Sequence, residues 1–372
     1  MQSTELTSVD LYYVARELAQ FAGAKVEKVF QSNTHKRDLF FICYLKDAPK
    51  LHLRFLLPGL ICTPKEKPAY PQLPPGFAMF LRKRLGGTRL VSAQQRGFDR
   101  IIEMGFASKT EEFTLVVEFL FPGNMLLLDK EGRIINLLEN QQYKDRTLRA
   151  RQPYIAPPPA FNIVAATDAE LSDRITTSTK DSIVTTLAVN CGLGGLYAEE
   201  ACLRAGIAKR RNDLSHAEVG KIVTALRDIL NQSILAHTDG QRAYPFRLQS
   251  KELRSCEDSS FLSALSLFTS DEPLLGKLEQ KQRDRAMPQT KLQAIIGAQR
   301  AQITRFEQDM ETEQRKAETI YLQYQLLQEI MTAAKEARER KQDVTTALRK
   351  FPQVKSYKDA TGEIELDIEE NS

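Results

Sequence analysis

The chain has 372 residues, 42% of them hydrophobic, a length that accommodates two or three units of ordinary domain size, about 100 to 200 residues each. No run of about 18 apolar residues is present, which argues against a transmembrane helix. The formal net charge of +4 is unevenly spread: Asp359, Glu363, Glu365, Asp367, Glu369 and Glu370 occupy an end without basic residues, so the body before them is basic and suited to a polyanion.

The start Met1-Gln2-Ser3-Thr4-Glu5 lacks the basic-then-apolar order of a signal peptide, and a soluble cytoplasmic protein without membrane contact is expected. Cys43, Cys62, Cys191, Cys202 and Cys256 lack the C-x-x-C spacing of a structural zinc, and His35, His52, His216 and His237 are equally dispersed. No metal, cofactor or nucleophile with its base is therefore expected, and the chain reads as non-catalytic.

In chain order, Thr7-Ser8-Val9-Asp10 opens a helical pattern with Val14, Leu18 and Phe21 on one face and Gly23 as its stop. Asp10, three residues after Thr7, has the position that completes a helix cap. Strands are expected at 25–31, 38–45, 51–57, 89–94, 100–106 and 113–121, continuing as an antiparallel meander through 125–128 and 133–138. A helix over 76–85 interrupts them and ends at Gly86-Gly87. Its last turn carries Arg82, Lys83 and Arg84, which complement the helix dipole and are also available to phosphate. Gln95-Arg96-Gly97-Phe98-Asp99-Arg100 joins two strands, and Asp99 with Arg100 reads as an exposed pair worth about 0.5 kcal/mol or less to folding.

Pro153, Pro157, Pro158 and Pro159 mark a stiff connector, since each ring fixes its backbone and removes a donor. Helices follow at 181–190, 196–205 and 215–232, the last opened by a Ser215/Glu218 capping box. Between the first two, Cys191-Gly192-Leu193-Gly194-Gly195 has the shape of a helix-hairpin-helix. There Gly192 and Gly194 let backbone amides at a helix start approach a phosphate; an ordinary tight helical turn is the alternative. Residues 240–270 return to mixed character, with a strand at 244–248 and a helix at 260–268, and are expected to pack back onto another domain.

From Gly276 the pattern is helical. Apolar positions from Leu292 through Ile303, Phe306 and Ile320 to Ala334 alternate in steps of four and three, a heptad seam about 65 Å long that should project as an arm. Its root, with Lys277, Lys281, Arg283 and Arg285, is basic enough to contact RNA, although a solvated charged face explains it equally well. Phe351-Pro352 stops any return helix, so the seam should pair in a dimer, or with a segment of a longer protein.

Ser8-Val9-Asp10-Leu11, Lys25-Val26-Glu27-Lys28-Val29-Phe30, Phe77-Ala78-Met79-Phe80-Leu81-Arg82-Lys83-Arg84-Leu85 and Gly97-Phe98-Asp99-Arg100-Ile101 resemble the N-terminal domain of the NFACT family of ribosome quality-control factors. Gly192 to Ile207 resembles the family's helix-hairpin-helix, and Lys316-Ala317-Glu318 with Ile320-Tyr321 resembles its coiled coil. The resemblance implies an α+β multidomain chain: a mixed α/β, glycosylase-like N-terminal domain with antiparallel strands over 1–172, a helix-hairpin-helix domain over 173–238, a returning segment over 239–275 and a coiled-coil arm over 276–372. It also implies engagement of a stalled large ribosomal subunit with its peptidyl-tRNA, tRNA recruitment for template-free tailing, and a ubiquitin-ligase or protease pathway downstream. Asp10, Asp99 and Arg100 match the family's tRNA-engaging positions, and the peptide bonds of tailing are made by the ribosome. The family's C-terminal NFACT-R domain and second coiled-coil helix are missing, so the sequence is expected to be part of a longer protein. A formamidopyrimidine-type DNA glycosylase is a rival reading, weakened by Gln2 where that family has its attacking proline and by the missing zinc-finger cysteines. A fibronectin-binding adhesin is another, weakened by the lack of a signal peptide.

Overall fold

The computed structural model describes residues 5–269, 289–359 and 361–367, and the chain divides into two compact units, residues 1–283 and 284–372. The first unit opens with α1 (Ser8–Ala19), started by the expected capping box: the Thr7 hydroxyl accepts from the Asp10 N–H, and the Asp10 carboxylate accepts from the Thr7 N–H. The helix is more enclosed than a one-sided stripe implies, since Val9, Leu11, Tyr13, Val14, Ala15 and Leu18 are all buried.

Among the described residues, nine strands form one antiparallel sheet: β1 (Lys25–Gln31), β2 (Asp38–Tyr44), β3 (Leu51–Leu56), β4 (Leu60–Cys62), β5 (Arg89–Gln95), β6 (Ile101–Ala107), β7 (Glu112–Glu118), β8 (Asn124–Leu128) and β9 (Ile134–Leu137). Their order is β4-β3-β2-β1-β5-β6-β7-β8-β9, with α2 (Gly76–Leu85) between β4 and β5 in sequence and packed on β1. β1 meets β5 at Lys25 and Arg89. In a flat sheet β3 and β7, five places apart, would lie about 24 Å from each other. Leu53 and Phe55 of β3 nevertheless line one small interior space with Met104 and Phe106 of β6 and Leu115 of β7. The sheet therefore folds over at the β1–β5 junction and encloses its own core. On its other face Ile101, Val116, Leu126, Ile134 and Leu148 form a second, smaller core. The buried Glu118–Arg146 pair, 2.6 Å apart, ties that core to the segment covering it.

The helical region departs from expectation in three places. Thr167 and Glu170 form a capping box that starts α3 (Asp168–Thr176), so the boundary expected after residue 172 falls inside a helix. The single helix expected over 181–190 is instead α4 (Ile183–Thr185) followed by a π-helical turn, Thr186–Asn190, whose wider winding delivers the chain to Gly192. The strand expected over 244–248 shortens to Ala243–Tyr244. Beyond these, α5 (Gly194–Ala205), α6 (His216–Leu230) and α7 (Phe261–Ser266) share a continuous apolar core with the sheet and α1, running from Leu6 to Leu265. Phe246 packs 5.2 Å from Tyr13 and 6.0 Å from Tyr197, ring centre to ring centre. Glu17 of α1 accepts the Phe261 and Leu262 amides at the start of α7.

In the second unit a helix runs from Gln289 to Leu322, breaks at Gln323 (φ −105°, ψ 19°) and resumes over Tyr324–Glu339. The heptad seam expected to continue to Ala334 is interrupted there. Before the break Ile303, Phe306, Met310 and Ile320 are exposed; after it Ile330 and Ala337 are buried with Val344 and Leu348 of the short helix Val344–Leu348. Tyr357 and Ile364 of an antiparallel hairpin, Val354–Lys358 with Glu363–Leu366, complete this local core. Its acidic strand is matched by Lys355–Asp367 and Lys358–Glu363 pairs. Among the described residues, no helix is long and apolar enough to cross a membrane.

Candidate functional site

The chain turns between the π-helical turn and α5 through Gly192 (φ +72°) and Gly194 (φ +73°), a backbone region that side chains rarely adopt. A Cβ on Gly192 would meet the Phe98 ring at 3.5 Å, and one on Gly194 would meet the Thr7 methyl at 3.4 Å. This close approach brings the start of α5 against the start of α1. The first amides of an α-helix have no partner within it, and no side chain caps α5.

Along this junction runs a cleft of about 630 Å³, whose lining includes Glu5, Arg100, Gly192, Gly194, Arg242 and Lys251. Arg100, its side chain 25% exposed, donates to the Glu5 carboxylate at 3.5 Å and to the Pro58 carbonyl at 3.3 Å. Burial pulls its guanidinium below the usual arginine range, with the Glu5 and Asp10 carboxylates acting against that pull. Its Nε is buried without a hydrogen-bond partner among the described residues. Arg242 reaches the cleft from the turn after Thr238, and its side chain, 14% exposed, pairs with Asp10. Burial pulls this guanidinium down as well, but the Asp10 carboxylate and the Tyr197 and Tyr244 hydroxyl groups outweigh it, and the net direction is upward. Lys251 lies 3.4 Å from Asp239. The Tyr244 ring sits 5.8 Å from the Arg242 guanidinium and 5.7 Å from the Lys251 ammonium. The arrangement is suited to an anion with several oxygens: helix-start amides on one wall and cations on the others.

Four of the residues picked out in the sequence thus meet at this cleft, in different roles. Arg100, Gly192 and Gly194 line it. Asp10 does not face it: at 0% exposure the carboxylate lies beneath, capping α1 and accepting from the Tyr197 hydroxyl at 2.7 Å and from Arg242. The exposed Asp99–Arg100 pair does not form, because the two side chains turn to different partners. Asp99 accepts the Ala160 amide at 3.2 Å, and burial raises its carboxyl pKa against the opposing effects of that bond and Arg96.

The basic end of α2 is also divided. Arg82 turns inward to the Val29 carbonyl and lies 4.8 Å from the Phe30 ring centre, Arg84 pairs with Glu111 at 3.4 Å, and Lys83 is left exposed. Three basic residues consecutive in sequence point around a helix rather than to one phosphate, since neighbours are about 100° apart. Lys277, Lys281, Arg283 and Arg285 lie outside the described residues. Sequence reasoning missed Arg242, Lys251 and Tyr197. The available signal was Thr238-Asp239-Gly240, a turn placed just before a basic residue.

Known proteins share this fold. The structure superposes on the N-terminal part of a fibronectin/fibrinogen-binding protein from Streptococcus suis with a TM-score of 0.56 at 20% identity, covering 74% of this chain and 100% of that one. A fibrinogen-binding protein from Staphylococcus aureus gives a TM-score of 0.58 at 18% identity, over 71% of this chain and 98% of that one. At such identities the likeness shows the fold alone. In sequence the chain is 27% identical over 365 residues to the archaeal Rqc2 homolog aRqcH of Methanocaldococcus jannaschii, covering 91% of this chain and 53% of that protein. It is 33% identical over 138 residues to the human ribosome quality control complex subunit NEMF, covering 36% of this chain and 12% of that protein. The chain thus spans about half the length of the archaeal relative. A model of the NFACT N-terminal and middle domains matches residues 7–371, nearly the whole chain, and the chain belongs to the NFACT family.

Proposed function

We propose that this chain is the RNA-binding N-terminal and middle portion of a cytoplasmic ribosome quality-control factor, which engages a stalled large ribosomal subunit carrying peptidyl-tRNA and recruits tRNA for template-free tailing of the nascent chain. The observation that carries this reading is the cleft: Arg100 and the Gly192–Gly194 turn come from separate segments and line one polar recess of about 630 Å³. Helix-start amides and a guanidinium recognise phosphate without reading a base, which suits a factor that accepts tRNA by its backbone. In this reading the Gly192–Gly194 turn works as a helix-hairpin-helix, and the helix Gln289–Leu322 is one strand of a coiled-coil arm. The chain itself makes no bond; the ribosome does.

The test is tRNA recruitment to obstructed large subunits by the full-length protein, followed on a sucrose gradient. Arg100→Ala should abolish recruitment, and Arg100→Lys, which keeps the charge but loses the planar fork, should not restore it. Wild-type recruitment and tailing by Arg100→Ala would remove the cleft from the reading.

A further inference from the structure

Arg242 has no role in the reading above, yet its position in the cleft is fixed from two sides. On the main-chain side, the Asp239 carboxylate accepts the Gln241 and Arg242 amides, each at 2.9 Å, and the Tyr244 hydroxyl at 2.6 Å. Hydrogen bonds, beginning with that of Tyr244, hold the Asp239 carboxyl below its ordinary range although burial pushes it upward. On the side-chain side, the guanidinium is paired with Asp10 and lies 5.8 Å from the centre of the Tyr244 ring.

We infer that Arg242 is a phosphate-binding residue of this cleft and that Asp10, buried beneath it, is a positioning residue acting through it; the inference rests on the reading of the cleft as a tRNA site. Asp10 has no exposed surface with which to touch a ligand. Its direct contacts are with Thr7, Tyr197 and Arg242. Of these, Tyr197 is itself fully buried and Thr7 is the neutral cap residue, so Arg242 is the charged group of the cleft that Asp10 holds by a direct contact, whereas its carboxylate acts on Arg100 through charge alone.

Both of Asp10's oxygens are occupied. Oδ1 accepts from Tyr197, and Oδ2 accepts from the Thr7 amide and hydroxyl and from Arg242. A cap alone requires neither a buried charge nor a tyrosine 187 residues away. The arrangement makes sense as a brace: a guanidinium held along one edge by a fixed carboxylate has already lost the rotamer freedom that binding would otherwise cost.

The test is equilibrium binding of purified tRNA to the full 372-residue chain across a salt series, with a melting curve for every variant. Arg242→Gln should weaken binding several-fold and lower the slope of log affinity against log salt by about 0.7 to 0.9, the signature of one lost phosphate contact. Asp10→Asn should reproduce both effects, and the double variant should bind no worse than Arg242→Gln, because the two residues act in series. Arg242→Lys should not restore the affinity. Wild-type affinity and slope for Arg242→Gln overturns the inference, as does a full additional loss when Asp10→Asn is added to it. If Asp10→Asn does not fold, Arg242→Gln alone decides. Arg100→Ala separates the two levels: if it weakens binding while Arg242→Gln does not, the inference falls and the tRNA reading stands. If neither weakens binding, both fall.

Discussion

Glu5 places a carboxylate 3.5 Å from the Arg100 guanidinium inside the cleft, where an incoming phosphate would have to replace it. Glu5→Gln should therefore raise the affinity for tRNA several-fold at low salt, with the gain shrinking as salt screens the charges. Equal affinities for the two proteins at low salt would show that Glu5 does not compete. A second residue-scale prediction concerns stability. Glu118 accepts from both terminal nitrogens of Arg146, at 2.6 and 2.9 Å, and from the Tyr154 hydroxyl at 2.8 Å, and both charged groups are buried. Glu118→Ala would leave a buried guanidinium without its counter-charge, and urea unfolding should show a loss of about 3 to 5 kcal/mol. A loss below about 1 kcal/mol would mean that water or a rearranged carboxylate takes over. At this scale the sequence displayed residue types but not burial. Asp10 was legible as the partner of Thr7, three residues away, because capping is local. Its contact with Arg242, 232 residues away, was not, because only the folded core brings those segments together.

Helix starts were the most legible elements, for the same reason of locality. The Ser215/Glu218 box forms as expected, and Arg211 reinforces it by donating to Glu218 at 2.6 Å. The hydrogen bond from Arg211, followed by those from Ser215, holds the Glu218 carboxyl at about 2, below its ordinary value of 4.5. Because the folded-state value is depressed, the contribution of Glu218 to stability is fully present above pH 4.5 and is lost as the pH falls toward 2. The urea midpoint of Glu218→Gln should accordingly lie below that of the wild type at neutral pH and converge with it on acidification. A constant gap would assign the effect to packing. Ser215→Ala, which removes the cap oxygen, should cost about 1 kcal/mol. Elements shaped by distant contacts were harder to read. The π-helical turn Thr186–Asn190 keeps a helical pattern in sequence, and its extra width appears only where the chain must reach Gly192. The seam beyond Gln323 carries the right apolar spacing, but its Tyr324 and Met331 are exposed, and it is Ile330 and Ala337, off the seam, that are buried against the short helix and hairpin that follow. α3 was overlooked although Thr167-Asp168-Ala169-Glu170 carries the same local signature as Ser215-His216-Ala217-Glu218.

At the scale of the whole chain, the cleft and the basic stretch that follows it in sequence are two sources of nucleic-acid affinity that can be tested separately. The apolar core of the first unit draws its members from Leu6 to Leu265, while the second unit closes a small core of its own around Ile330, Ala337, Val344 and Leu348. Among the described residues, a chain ending at Thr269 keeps every buried side chain of the sheet, of α1 to α7 and of the cleft, and it should melt at the same temperature as the first transition of the full chain. It loses the basic stretch that includes Lys277, Lys281, Arg283 and Arg285. If that stretch contacts RNA, replacing those four residues with Gln in the full chain should lower the salt slope of tRNA binding by up to about 3.6, roughly 0.9 for each phosphate released. The shortened chain should show at least as large a decrease. If the cleft and the stretch hold different phosphates independently, Arg100→Ala should weaken binding by the same factor in the full and the shortened chain. An unchanged slope after the four replacements would identify the stretch as a solvated charged face and leave the cleft as the source of affinity. An Arg100→Ala effect present in the full chain and lost in the shortened one would instead show that the cleft binds RNA only when the residues after Thr269 are attached.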